Sequence, residues 1–172
     1  MKKQAHASKE ALEFIIKQLT QTEYAVVNNL DEINAVGHRV VQGAEKYADP
    51  ILIDESVVAG IKEVADLAPV HNMAAAMGIE ACMSLMPNKP NVAVFDNGFH
   101  KTIPEERFLY PIPYHYYRDY KIRKYGFHGT SHSYISKRVA ELENKPLEDI
   151  KTIVCHIGQG ASLCAVDGGK SV

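Results

Sequence analysis

Two histidines and two hydroxyl groups crowd one short segment of the chain. Residues 126–132 read GFHGTSH, with His128 and His132 four residues apart at the predicted start of a helix. Histidines at this spacing can bind zinc, although the glutamate of the H-E-x-x-H pattern and a well-spaced third ligand are missing. At a helix N-terminus the same donors can stabilise negative charge on a transferring group. A structural capping cluster is the third interpretation, and the segment alone leaves all three open.

A glycine-bearing turn follows the strand predicted over residues 152–155. It comprises His156, Ile157, Gly158, Gln159 and Gly160. Two glycines allow backbone N–H groups to approach an anion, so the turn is a candidate phosphate-holding hairpin. Glycine also serves tight turns that bind nothing, and the turn alone does not separate the two readings.

Two charged side chains occur among apolar neighbours. Arg39 lies in a strand predicted over 33–41, and Asp96 ends a strand predicted over 92–95. An unpaired buried charge is costly, so each side chain should meet a ligand or an opposite charge, and the simplest structural alternative is that they pair with each other or with neighbours. In open α/β sheets, ligands bind beyond the carboxyl ends of strands, which makes Asp96 and the 156–160 turn the predicted ligand positions.

The elements that position these residues alternate between helix and strand. Apolar spacing predicts a first helix capped by Ser8, a second capped by Asp54 and ended by Pro69, a third over 73–86, and a fourth begun by Thr130 or Ser131. His71 and Asn72 are expected in a polar loop. Residues 102–120 predict an irregular connection with one helical turn, and residues 161–166 a returning strand followed by a turn at Asp167-Gly168-Gly169. The alternation predicts an α/β layer architecture.

The composition is that of an ordinary globular protein. The 172 residues are 46% hydrophobic and 23% charged, with a formal net charge of -2. This balance gives no basic field for nucleic acid or anionic lipid, and no stretch reaches membrane-spanning length. Cys82, Cys155 and Cys164 are odd in number and lack CxxC spacing. They predict reduced thiols and hence a cytoplasmic protein, while the charge balance and the lack of long apolar stretches predict no nucleic-acid or membrane partner.

Five segments resemble, in order, the signature segments of the acetate kinase family: residues 38–41 (HRVV), 67–72 (LAPVHN), 94–96 (VFD), 125–132 and 155–162. That family belongs to the superfamily of acetate and sugar kinases, heat-shock ATPases and actin, in which two similar α/β domains face each other across a cleft. The resemblance implies an α/β, partial two-domain acetate/sugar kinase-actin-like fold that lacks the first strands and most of the second domain. Residues 1–100 would form most of the first domain, 101–125 an irregular connection, and 126–172 an interdomain helix with the start of the nucleotide-binding domain.

The resemblance also implies a reaction. Acetate kinases transfer the ATP γ-phosphoryl group reversibly and in line to acetate, giving acetyl phosphate and ADP, with Mg²⁺. By position, Arg39 would hold the acetate carboxylate and the transferring phosphoryl group, Asp96 would be the catalytic carboxylate that aligns them, and His128 would stabilise the phosphoryl oxygens. The methyl pocket would be formed by Val41, Val70 and Phe127. The ATP phosphates would be lined by His156, Ile157, Gly158, Gln159 and Gly160.

Departures from the family pattern leave alternatives open. Gln159 stands where asparagine is usual, and Val70 replaces a usual leucine, which slightly enlarges the acyl pocket. A propionate or butyrate kinase is therefore one alternative, and a non-catalytic binding or oligomerisation module is another. The resemblance implies a homodimer in the full-length protein, and it places the magnesium ligands, a second arginine and the adenosine site outside these residues.

We expect the 172 residues by themselves to form no measurable acetyl phosphate, because they would lack part of the machinery for positioning and closure. Exposed core-facing side chains such as Ile153 should also favour self-association. A coupled assay on the purified chain, run beside light scattering, checks both points. Acetate-dependent turnover that is lost in Asp96→Ala, from a monodisperse monomer, would contradict this expectation.

Overall fold

The computed structural model describes residues 2–21 and 23–172, with side chains from residue 9 onward. The chain divides into two compact units. The first unit comprises Met1–Gln42 and Pro50–Val94, and the second comprises Gly43–Asp49 and Phe95–Val172.

The first unit packs three helices with a small sheet. Its elements are α1 (Lys2–Gln21), β1 (Val36–Val40), β2 (Ile51–Leu52), α2 (Glu55–Glu63), α3 (Pro69–Leu85) and β3 (Asn91–Phe95), with 3₁₀ turns at Leu30–Glu32 and Ala65–Leu67. The strand order is β1-β3-β2, with β2 antiparallel to β3. Helix α3 packs against α1, α2 and β1. The core between them includes Val40, Val57, Val58, Ile61, Ala76, Ile79 and Ala93.

The predicted helix boundaries in this unit are partly confirmed. Asp54 caps α2, since its Oδ1 accepts a hydrogen bond from the Val57 N–H at 2.9 Å. Pro69 was expected to end a helix but begins α3 instead, because the first helical position needs no N–H donor. Ser8 lies inside α1 and does not begin it, and its side chain lies outside the described residues.

Asn72 is a buried structural amide of α3, so the expectation of a polar loop at His71 and Asn72 is wrong. Its side chain is 0% exposed. The Asn72 Oδ1 accepts from the Gln42 N–H at 3.1 Å, while its Nδ2 donates to the carbonyls of Gln42 at 2.8 Å and Ile61 at 3.2 Å. The amide therefore ties the end of α2 and the chain after β1 to α3.

The second unit packs α6 against an antiparallel sheet. Its helices are α4 (Glu105–Phe108), α5 (His115–Tyr120) and α6 (Gly129–Glu143), its strands are β4 (Lys151–Ile157), β5 (Ala161–Asp167) and β6 (Lys170–Ser171), and 3₁₀ turns lie at Gly98–Thr102 and Leu147–Asp149. The strand order is β4-β5-β6, and α6 packs on β4 and on the Gly98–Thr102 turn. The mixed α/β architecture is confirmed, and α5 confirms the helical turn expected at 114–120, but α4 is a second helical segment in the connection that the sequence does not predict.

The β4–β5 hairpin has one buried and one exposed face. Val154, Cys164 and Val166 are buried with Phe99 packed against them, whereas Ile153 on the other face is 70% exposed. The predicted turn at 156–160 is too long, because His156 and Ile157 still pair in the ladder, with Ser162 and Ala161 as their partners. The turn is limited to residues 158–160. The predicted turn after β5 is confirmed, with Gly168 and Gly169 at φ 56° and 78°.

Among the described residues, no helix is both long and apolar enough to cross a membrane.

We predict that Asn72→Ala destabilises the first unit by about 2–4 kcal/mol, since it leaves buried main-chain groups of Gln42 and Ile61 without partners. Urea unfolding followed by circular dichroism measures this change. Asn88→Ala, an exposed asparagine beyond α3, is the matched control and should change the unfolding free energy by less than about 0.5 kcal/mol. Equal stabilities of the two variants would contradict the role assigned to Asn72.

Candidate active site

A main-chain hydrogen bond holds the start of α6 against Asp96, the residue after β3. The Gly129 N–H donates to the Asp96 carbonyl at 2.9 Å. A Cβ at position 129 would lie 2.3 Å from that oxygen and 2.8 Å from the Phe99 Cβ, so only glycine permits the approach. His128, the residue before the helix, adopts a left-handed conformation with φ 55°.

The expectation that Thr130 or Ser131 caps α6 is wrong. No side chain caps the helix, and both residues lie within its first turn. The Ser131 Oγ is instead 2.9 Å from the His156 Nδ1. The hydroxyl thus serves a histidine of the neighbouring strand.

Asp96 comes directly after β3 and is 2% exposed. Its negative charge acts on the nearby His100, whose Nε2 is 2.9 Å from the Phe127 carbonyl and whose Nδ1 is 2.8 Å from the Ser171 Oγ. Burial lowers the pKa of His100, and this effect exceeds the opposing effects of the Phe127 carbonyl and Asp96. A neutral His100 therefore donates from Nε2 to the carbonyl and accepts from the Ser171 hydroxyl.

His128 and His132 share one hydroxyl group. The Ser162 Oγ is 2.8 Å from the His128 Nδ1 and 2.8 Å from the His132 Nε2. His132 is 0% exposed. Burial, followed by the neighbouring imidazoles of His100, His128 and His156, lowers the pKa of His132.

His156 and the 158–160 turn flank His128. The two imidazoles stack with centroids 4.1 Å apart and planes at 21°. A Cβ at position 160 would lie 3.2 Å from the His128 Cε1 and Nε2, so Gly160 keeps this edge of the ring uncrowded. The Ile157 side chain is exposed on the sheet face opposite His156. The structure therefore brings together His128, His156 and the turn, with Asp96 beside the start of α6.

The donor set does not form a metal site. The His128 Nδ1 and His132 Nε2 both meet Ser162, which takes the place that the zinc interpretation gave to a metal. Among the side chains described, those of residues 9–21 and 23–172, no group of three or more His, Cys, Asp or Glu could hold a metal ion.

Three other predicted site residues lie in the first unit. Arg39 is exposed on β1, so the prediction that it is a buried charge is wrong. Val41 is half-buried just after β1, and Val70 is 78% exposed in the first turn of α3. Phe127, the third predicted pocket residue, belongs to the second unit and is 37% exposed.

Sequence reasoning missed a polar cavity of about 210 Å³ in the second unit. Its lining includes Glu45, which accepts hydrogen bonds from the Tyr117 hydroxyl at 2.7 Å and the Arg123 Nη1 at 2.8 Å. Burial raises the pKa of the Glu45 carboxyl, but these hydrogen bonds and the positive charges of Arg123 and Lys121 outweigh that effect. The pKa of Glu45 therefore lies below its usual value. Burial raises the pKa of Tyr125, another lining residue, to about 12. The partners are more than 70 residues apart in sequence, so no local pattern indicates the cluster.

The structure resembles solved structures of an acetate kinase and a propionate kinase. Over 95% of the chain, the structure matches Porphyromonas gingivalis acetate kinase with a TM-score of 0.90 and 40% identity, covering 41% of that protein. It matches a propionate kinase from Francisella tularensis with a TM-score of 0.87 and 39% identity, again covering 95% of this chain and 41% of the other. The described units therefore have the fold of acetate and propionate kinases.

Sequence comparison identifies the family. The chain belongs to the acetokinase family, whose model matches residues 1–172. It is 56% identical over 164 residues to acetate kinase from Clostridium acetobutylicum, a match that covers 95% of this chain and 41% of that enzyme. The chain thus spans about two fifths of the length of the curated relatives it matches.

We predict that Gly129→Ala destabilises the second unit by about 1–3 kcal/mol, because the added methyl group overlaps the Asp96 carbonyl. Thermal or urea unfolding measures the loss. Gly78→Ala is the control, since a Cβ at Gly78 in α3 meets nothing within 4 Å, and it should be neutral or stabilising by up to about 1 kcal/mol. A Gly129→Ala variant as stable as the parent would show that the start of α6 is not held in this way.

Proposed function

We propose that the full-length protein containing these residues is an acetate kinase that transfers the γ-phosphoryl group of ATP reversibly to acetate, giving acetyl phosphate and ADP. The observation that carries the proposal is the placement of His128 at the start of α6, beside the buried Asp96 at the end of β3. Membership of the acetokinase family over residues 1–172 supports the choice of reaction.

His128 is suited to stabilise charge on the transferring group. Phosphoryl transfer passes through a loose transition state in which charge is spread over three equatorial oxygens, so preorganised donors contribute most of the catalysis. The His128 ring is half-buried and stacked on His156, and it lies at the positive end of a 15-residue helix. Both features favour an ordered donor for anionic oxygen.

Asp96 and Arg39 act in positioning. Acetate is already an adequate nucleophile, so the reaction requires no general base, and Asp96 aligns the substrate. Arg39 binds the acetate carboxylate and then the phosphoryl group through its planar guanidinium, which can contact two oxygens at once. Its exposure on β1 is compatible with access by a ligand.

The β4–β5 hairpin lines the ATP phosphates. His156 contributes its side chain, and Gly158, Gln159 and Gly160 contribute the turn. Ile157 contributes its main chain, because its side chain is exposed on the opposite face of the sheet. ATP carries Mg²⁺ in this chemistry, but the described side chains do not include a set that fits the ion. We place its ligands outside these residues.

We propose that the apolar side chains of Val41, Val70 and Phe127 limit the length of the substrate in the full-length protein. A propionate kinase is the second candidate, and it is favoured by the valine at position 70 and by the similarity to the propionate kinase from Francisella tularensis. We further propose that the full-length enzyme is a cytoplasmic homodimer.

The test is a coupled assay of ADP formation by the full-length protein with acetate, propionate or butyrate as acceptor. We expect the highest kcat/KM with acetate. A higher value with propionate would transfer the proposal to the second candidate. Absence of phosphorylation of all three acids by a folded protein that binds ATP in calorimetry would overturn the proposed reaction.

We predict that Arg39→Ala in the full-length protein lowers kcat at least about 100-fold while changing the KM for ATP by less than about threefold, because its contacts strengthen in the transition state. Steady-state kinetics with varied acetate and ATP measure both effects. The control is Arg138→Ala, which removes an exposed arginine of α6 paired with Glu141. If Arg39→Ala retains turnover within about threefold, which is under ~0.7 kcal/mol of barrier, Arg39 has no role in the reaction.

A further inference from the structure

Ser162 connects two histidines through its one hydroxyl group. Its Oγ lies 2.8 Å from the His128 Nδ1 and 2.8 Å from the His132 Nε2. A serine hydroxyl donates one hydrogen bond, and the two rings are the partners of the Ser162 Oγ found among the described residues, so the hydroxyl donates to one ring and accepts an N–H from the other. With both imidazoles neutral, only two directions of this hydrogen-bond chain are possible.

The two directions have opposite consequences for His128. If His132 donates to Ser162, the serine donates to the His128 Nδ1, and the proton of His128 is on Nε2. If His128 donates to Ser162, its Nε2 carries only a lone pair. An Nε2–H attracts an anionic oxygen, whereas a lone pair there repels it.

The burial of His132 selects the first direction. His132 is 0% exposed, and its Nδ1 has no hydrogen-bond partner among the described residues. In the second direction the proton of His132 would sit on this nitrogen, which would leave a buried N–H donor unpaired. Buried unpaired N–H groups are rarer in proteins than under-satisfied acceptors, so the proton belongs on Nε2, where Ser162 accepts it.

The surroundings of His132 also keep it neutral. Burial and the imidazoles of His100, His128 and His156 lower its pKa. A charged His132 would carry protons on both nitrogens and would again leave the Nδ1–H without an acceptor. The neutral Nε2–H form is therefore the one that this environment favours.

We propose that His132 and Ser162 are positioning residues that hold His128 in the tautomer with its proton on Nε2, directed to the transferring phosphoryl group. The inference rests on the proposed kinase function for the identity of that anion. The Nε2 edge of His128 lies beside Gly160, where a Cβ would be only 3.2 Å away, so this edge faces the turn assigned to the ATP phosphates.

The first test is the tautomer of His128, measured by ¹⁵N NMR on the full-length protein labelled at histidine. The His128 signals are assigned by comparison with His128→Gln. We expect a protonated Nε2 and an unprotonated Nδ1 in the parent protein, and a mixture of tautomers in Ser162→Ala. A protonated Nδ1 in the parent, or an unchanged tautomer in Ser162→Ala, would overturn the proposal.

The second test is kinetic. We expect Ser162→Ala to lower kcat about 10- to 100-fold, as removal of a group that orients a functional histidine does, with KM values within about threefold. Ser162→Thr retains the hydroxyl and should restore most of kcat. The matched control is Ser171→Ala, which removes a buried serine bonded to the His100 Nδ1 and should leave kcat within about threefold.

The outcomes separate this inference from the proposed function. A kcat of Ser162→Ala no lower than that of Ser171→Ala, or a folded Ser162→Thr as slow as Ser162→Ala, contradicts the positioning role even when acetate is phosphorylated. If the parent protein phosphorylates no carboxylate, the proposed function fails. The NMR measurement needs no substrate, and it still decides whether the chain from His132 through Ser162 sets the tautomer of His128.

Discussion

In the second unit, the hydrogen bond from the Gly129 N–H to the Asp96 carbonyl joins the two segments that carry its candidate site residues. These are the start of α6, with His128, and the buried Asp96. This hydrogen bond brings the first turn of α6 so close to the Asp96 main chain that position 129 has no room for a Cβ. The left-handed His128 precedes this contact, and Phe99 packs beneath it. A shift of either element would separate His128 from Asp96, so the candidate site depends on this close approach.

The histidines around this contact are paired with hydroxyl and carbonyl groups. Ser171 serves His100, Ser131 serves His156, and Ser162 serves both His128 and His132. A carboxylate partner would favour the charged imidazolium, whereas a hydroxyl can donate to or accept from a neutral ring. The neighbouring imidazoles also help to lower the pKa of the buried His132. At His128 and His156 the arrangement thus provides ordered donors, which suit an anionic group whose charge is redistributed during transfer.

Much of the local structure follows from the sequence. Branched apolar runs, the Asp54 cap and the glycine pair at 168–169 act over a few residues, and the strands and turns predicted from them occur in the structure. Five segments that resemble acetate kinase signatures also occur in the same order as in that family. Such an ordered set is far more specific than any single motif, so it predicts membership of the acetokinase family. The strand ends, the helix start and the family-like segments together predict Asp96, His128 and the 156–160 segment as candidate residues.

Contacts between distant residues decided the rest. A proline such as Pro69 can end one helix or begin another. In the structure it begins α3, and the buried hydrogen bonds of Asn72 hold the first turn of that helix in place. Ser131 can cap a helix in isolation, but it bonds His156, which lies 25 residues away on β4. The sequence by itself determined the elements and the types of residue available for chemistry, since these depend on local sterics and periodicity. Only the tertiary structure decided which hydroxyl meets which imidazole, because such pairing depends on packing between elements far apart in the chain.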